Sequence, residues 1–162
     1  MSPKFVFNVI PLLEVPTEDA LEVHGSRPVV LVVDDEKVIA DTLSIILKKS
    51  GFSAITAYDG HTALQLANDL RPDLLISDVM MPGMTGIELA IAVTQNIPMC
   101  KILLFSGQAA TVDLLEKARN AGHNFTTLTK PVHPTDMLKR ISECLVSPAI
   151  TSPSIQFQSA IN

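Results

Sequence analysis

The chain has 162 residues, 47% of them hydrophobic, and a formal net charge of -5; such a length buries one good core and hardly two. No Lys/Arg cluster stands out, which argues against a phosphate-backbone binder, and no apolar stretch approaches the ~20 residues that span a bilayer, so neither nucleic acid nor membrane is an expected partner. Cys100 and Cys144 are isolated, without a CxxC pair, and fit a reducing cytosol as small core or helix-face residues.

Residues 1–27 carry Pro3, Pro11 and Pro16, an acidic patch and no sustained period, and read as an irregular extension with one extended piece at Phe5 to Ile10. The apolar start is broken by Asn8 and Pro11 and followed by Glu14, Glu18 and Asp19, which argues against a secretory signal. Residues 147–162 hold Ser147-Pro148 and Ser152-Pro153, no charge and no helical pattern, and read as a mobile tail. One ordered domain is expected over 28–146.

Within it, strand-like and helix-like patterns alternate. Val29 to Asp34 is a buried-strand run. A helix follows with an apolar stripe at Val38, Ile39, Thr42, Leu43, Ile46 and Leu47, and Gly51 is its stop. Ser53 to Tyr58 is the second strand. Ala63, Leu64, Ala67 and Leu70 mark the second helix, closed before Pro72 because a residue preceding proline disfavours the α region. Asp73 to Asp78 is the third strand, and Thr85-Gly86-Ile87-Glu88 fits a capping box that opens the third helix, carrying Ile87, Ala90, Ile91 and Val93. Lys101 to Ser106 is the fourth strand and Val112 to Ala121 the fourth helix, stopped by Gly122. Asn124 to Leu128 is the fifth strand. A last helix starts at Pro134, with His133 at its cap position and Met137, Leu138, Ile141 and Leu145 on one side.

Five such repeats predict an α/β fold: a five-stranded parallel sheet, doubly wound, with helices on both faces. Pattern alone does not give strand order. The flavodoxin-like order 2-1-3-4-5 is one common solution, and it makes the first and third strands neighbours. Adjacent strands lie ~4.8 Å apart, so Asp34, Asp35 and Asp78 converge on one small volume at the C-terminal edge, where ligands of open α/β sheets bind.

Carboxylates that close repel one another, so something cationic belongs among them. Lys130 is one candidate and a divalent metal the other; an oxygen-only ligand set favours a hard ion such as Mg²⁺ with phosphate as the third party. A carboxylate beside such an ion is a competent nucleophile toward a phosphoryl group. Asp78, alone at its strand end and followed by the loop Met81 to Gly86, suits that part. Ser106 ends the fourth strand with a hydroxyl able to donate to a phosphoryl oxygen, beside the small Gly107. Taken singly, an acidic residue ahead of a helix is more simply a cap, and Asp35 is placed to cap as well as to ligate.

Val30-Leu31-Val32-Val33-Asp34-Asp35-Glu36, Asp78 with the loop to Gly86, Leu104-Phe105-Ser106-Gly107 and Lys130-Pro131, in this order, resemble the receiver domain of two-component response regulators. The resemblance implies that Asp78 accepts phosphate from a histidine kinase or a histidine phosphotransfer protein. It also implies that Asp35, Asp78 and the backbone carbonyl of Met80 ligate Mg²⁺, with Asp34 acting largely through water. Ser106 and Lys130 then close on the phosphoryl group and reshape a face made by the fourth helix, fifth strand and fifth helix, which binds a downstream protein.

Two departures stand out. Receivers usually carry Tyr or Phe three positions before the lysine; here Thr127 stands there, with Phe125 two residues earlier and the spacing from Gly122 to Lys130 one residue longer. Either Phe125 takes the ring's part through a bulge or the aromatic switch is absent. Met80 is poorly suited to orient an attacking water, which predicts a long-lived phosphoryl form, with Gln108 a counterweight. A stand-alone cytoplasmic relay is the expected function. The alternatives are a pseudo-receiver scaffold that never takes phosphate and an aspartyl-phosphate phosphatase, the latter weakened because Met80 occupies the place of its second acid. Dinucleotide binding lacks the GxGxxG turn.

Overall fold

The computed structural model describes residues 26–107 and 109–146. Residues 1–25 of the expected extension with its Phe5 to Ile10 piece, the expected tail and Gln108 lie outside the described residues. Strands are β1 (Val29–Val33), β2 (Ser53–Ala57), β3 (Leu74–Asp78), β4 (Lys101–Ser106) and β5 (Thr126–Thr129). Helices are α1 (Lys37–Lys49), α2 (Gly60–Leu70), α3 (Gly86–Asn96), α4 (Ala110–Asn120) and α5 (Pro134–Val146). All pairings are parallel and the order is β2-β1-β3-β4-β5, as expected for the flavodoxin-like sheet.

The sheet is apolar on both faces because consecutive strand residues point to opposite sides and both sides are covered. Val30, Val32, Leu74, Ile76, Leu103 and Phe105 pack against Ala40 and Leu47 of α1 and Met137 and Ile141 of α5. Leu31, Val33 and Leu75 face Ala63 and Ala67 of α2 and Leu89 and Val93 of α3. A third cluster gathers Val79, Ile87, Ala90 and Leu104 with Ala118, Leu114, Leu115 and Phe125 under α4. Each fully buried aliphatic side chain contributes about 1.5–3 kcal/mol of transfer free energy, so the β1, β3 and β4 ends rest on the buried core.

Boundaries differ from expectation by one or two residues at most elements, and single positions of two stripes face solvent. In α1 the buried residues are Ala40, Ser44 and Leu47, while Val38 is 79% exposed and Thr42 is also on the solvent side. Leu47 is buried and Leu43 and Ile46 pack at the margin of the first cluster, as the stripe predicts, while small Ala40 and Ser44 fill the line of closest contact with the sheet. Leu70 likewise ends α2 in solvent. Gly51 does close α1, with φ +93, a left-handed conformation that costs glycine nothing. Arg71 ahead of Pro72 leaves the helical region altogether, at φ 50. At the start of α5, His133 Nδ1 accepts from Thr135 N at 3.3 Å and its carbonyl oxygen from Met137 N, the expected capping position. Met137 is buried, with Leu138 and Leu145 packed at the margin of the first cluster.

Candidate functional site

Register alone puts the acidic residues together. Val33 of β1 pairs with Ser77 of β3, so Asp34 and Asp78 leave the sheet side by side at its C-terminal edge. Carboxylate oxygens of Asp34, Asp35 and Asp78 lie within 4.8 Å of one another. On the other side of β3, Asp78 pairs with Phe105, and Ser106 pairs with Thr129 of β5, which delivers Lys130 to the same edge.

Lys130 Nζ stands 3.0 Å from Asp34 Oδ2 and 3.3 Å from Asp78 Oδ1. Its backbone N–H donates to the Ser106 carbonyl oxygen at 2.8 Å, which anchors the stem. Gly107 leaves that stem room, since a Cβ there would lie 3.4 Å from Lys130 Cβ. Asp34 is 1% exposed. Its other oxygen, Oδ1, accepts from the Glu36 N–H at 3.0 Å, so both oxygens have partners. Asp35 does not cap α1: the cap residue is Glu36 and no side chain supplies a cap bond there. The cap falls one residue past the acidic pair, which leaves Asp35 exposed and turned to the edge.

The loop after Asp78 is built backwards from α3. Thr85 and Glu88 form both arms of the capping box, with Thr85 N to Glu88 Oε2 at 2.8 Å and Glu88 N to Thr85 Oγ1 at 3.2 Å. Gly86 N–H donates to the Val79 carbonyl oxygen at 3.0 Å, and Val79 N–H to that of Phe105. Gly86 therefore rests against the backbone of Asp78, whose carbonyl oxygen also accepts from Ser77 Oγ at 2.9 Å. Asp78 opens into a cavity of about 640 Å³ together with Asp35, Met80, Phe105, Gly107 and Lys130, with Ile39 and Leu43 in its apolar wall.

Burial raises the pKa of Asp78; the Lys130 charge lowers it in part, and Asp34 and Asp35 raise it further. For Lys130 burial opposes the charged form, but the hydrogen bond and charge of Asp34, joined by Asp78, outweigh it and raise the pKa. Three carboxylates here stand against one ammonium. The donor set is all oxygen and compact, which fits a hard divalent ion such as Mg²⁺.

Ser106 reaches the edge, but its hydroxyl is hydrogen-bonded to Thr111 Oγ1 on the first turn of α4. Phe125 lies ahead of β5, stacked on His123 with ring centroids 6.0 Å apart and packed in the α4 cluster. Thr127 is exposed. The structural parts that pattern reading missed are Gly86, Ser77 and Thr111. The closeness of Gly86 to Asp78 has no signature in the sequence, whereas a Thr at the first turn of a helix adjoining Ser106 is a visible hint.

The family model of the response regulator receiver domain matches residues 30–142. The alkaline phosphatase synthesis transcriptional regulatory protein PhoP of Bacillus subtilis is 33% identical over 129 residues, which cover 80% of this chain and 53% of that protein. The DNA-binding response regulator MtrA of Mycobacterium tuberculosis is 32% identical over 117 residues, 71% of this chain and 49% of that one. The chain thus spans about half the length of these curated relatives. Among solved structures, the chemotaxis protein CheY4 of Vibrio cholerae is 33% identical with a TM-score of 0.66, over 74% of this chain and all of that one. A CheY-like receiver domain from Methanospirillum hungatei is 29% identical with a TM-score of 0.68, over 74% and 94%. With the sheet order, the edge cluster and these likenesses together, the chain belongs to the response regulator receiver family.

Proposed function

We propose that Asp78 accepts a phosphoryl group from a histidine kinase or a histidine phosphotransfer protein in a Mg²⁺-dependent reaction. The observation that carries this reading is the gathering of Asp34, Asp35 and Asp78 within 4.8 Å, with Lys130 spanning two of them. Asp35, Asp78 and the Met80 carbonyl would hold the ion, with Asp34 acting through water. A bound Mg²⁺ supplies positive charge to the phosphoryl oxygens. An Asp78 carboxylate oxygen attacks phosphorus in line; the new O–P bond forms as the P–N bond of the donor phosphohistidine breaks, and the departing imidazole takes up a proton. Lys130, already beside Asp78, meets one of the equatorial oxygens. The Ser106 hydroxyl donates a hydrogen bond to another.

The phosphoryl group alters the contacts of Ser106 and Lys130 and so biases the α4, β5 and α5 face toward a protein partner. Protein binding rather than DNA contact is the proposed output of this chain, on its net charge of -5 and the lack of a basic cluster. The protein is a phosphoacceptor in this reading and not a turnover enzyme: the side chain two residues past the nucleophile is a methionine, which cannot protonate a leaving group. Incubation with Mg²⁺ and acetyl phosphate, followed by mass mapping, tests the proposal. One phosphoryl group on Asp78, absent from Asp78→Asn, is the expected result; an unmodified protein supports the scaffold alternative instead.

A further inference from the structure

Ser106 follows Phe105, the register partner of Asp78, yet the cavity around Asp78 is lined by Phe105 and Gly107 and not by the serine between them. Its hydroxyl is held by Thr111, a polar side chain that is 1% exposed. A serine hydroxyl has one proton to donate. Phosphoryl oxygens only accept, so Ser106 must present that proton to the cavity when Asp78 is modified. The buried Thr111 hydroxyl then loses its present arrangement. Thr111 stands on the first turn of α4, next to the half-exposed Val112, and α4 packs through Leu114, Leu115 and Ala118 on Leu104 and Phe125.

Resting on the proposed phosphorylation of Asp78, we infer that Thr111 is a positioning residue: it holds the Ser106 hydroxyl out of the acidic cavity in the resting protein, and its release is what α4 senses. Thr127, exposed on β5 with its strand partner Leu104, offers no ring for that purpose. The hydroxyl pair on β4 and α4 does the coupling within one loop. The resting state therefore gains one buried hydrogen bond that the phosphorylated state exchanges for another. Removing the Thr111 hydroxyl deletes the bond to Ser106 that belongs to the resting state.

Thr111→Val keeps the branched shape and deletes the hydroxyl. Its phosphorylation by acetyl phosphate with saturating Mg²⁺ is expected to be about fivefold faster than wild type, the factor that one neutral hydrogen bond is worth. Thr111→Ser, which restores a hydroxyl, returns the rate toward wild type. In a Ser106→Ala background the valine substitution changes nothing, because there is no hydroxyl left to hold; a purely structural role for Thr111 would still show there. A Thr111→Val rate equal to or below wild type, or a valine effect that persists without Ser106, overturns the inference. Should the valine variant fold poorly, threonine-methyl NMR of the otherwise unsubstituted protein decides. The Thr111 methyl resonance moves on phosphorylation of wild type and stays still in Ser106→Ala, and an unmoved resonance in wild type is the contrary result. If wild type takes no phosphate on Asp78 at all, the underlying reading fails; if wild type is modified and these comparisons fail, only the role of Thr111 does.

Discussion

A Cβ placed on Gly86 would lie 1.9 Å from the backbone oxygen of Asp78. The start of α3 is pressed against the end of β3, and that contact sets the course of the loop leaving Asp78. Gly86→Ala must push the two elements apart or tilt the Asp78 peptide. Overpacking of this kind costs about 1–3 kcal/mol, and the obstacle here is backbone rather than a pliant side chain. Chemical denaturation is expected to show a loss in that range, and phosphorylation by acetyl phosphate to slow far more than stability alone explains. A variant as stable and as reactive as wild type would contradict the close approach.

Asp78 itself opposes folding when ionised without metal. Its pKa is raised in the folded protein, by burial first and by Asp34 and Asp35 next, against the pull of Lys130. A group with a raised folded pKa contributes stability below its unfolded value of ~3.9, and that contribution disappears as pH rises through the folded pKa. Asp78→Asn is therefore expected to melt a few degrees higher than wild type at pH 7 in EDTA, ~4 °C being what ~1 kcal/mol makes in a domain of about 120 residues. The gap closes at pH 3. Added Mg²⁺ raises the wild-type melting temperature more than that of the variant; equal shifts would remove Asp78 from the metal site.

Lys130→Ala leaves Asp34 buried beside two other carboxylates with its ammonium partner gone. A broken buried pair costs ~3–5 kcal/mol, and the lysine side chain is 25% exposed, so about 2 kcal/mol is expected at neutral pH. The raised Lys130 pKa keeps this contribution fully present below the ordinary lysine value of ~10.4 and removes it only above the folded pKa. On the proposed function, the variant is expected still to accept phosphate but not to pass the change to a partner. Partner affinity equal to that of wild type, with both proteins phosphorylated, would falsify the transmitting role.

Met80 is 38% exposed at the rim of the cavity that holds Asp78. An apolar thioether there neither orients nor activates a water, so the aspartyl phosphate is expected to be long-lived. Met80→Asn supplies a polar amide at the same place and shortens the phosphoryl half-life by about tenfold, a modest share of what positioning and acid-base groups supply elsewhere. Following the loss of bound phosphate with time after donor removal measures it. An unchanged half-life counts against the idea.

The alternation of aliphatic runs with amphipathic stripes, closed by Gly51, Pro72 and the Thr85–Glu88 box, made the five β/α repeats readable from the chain. Hydrophobic period and turn chemistry are local properties. The acidic pair, Asp78, Ser106 and Lys130 were readable for a related reason, as each ends a strand run and a parallel sheet sends all such ends to one edge. The side of α1 that packs was readable from Leu43, Ile46 and Leu47, but the innermost places of Ala40 and Ser44 were not, because they are set by smallness rather than by hydrophobicity. Strand order, the Val33–Ser77 register that joins Asp34 to Asp78, the contact of Gly86 with the Asp78 peptide and the pairing of Ser106 with Thr111 belong to the tertiary structure. They depend on how separate elements are set against one another in space, which no single stretch of chain encodes.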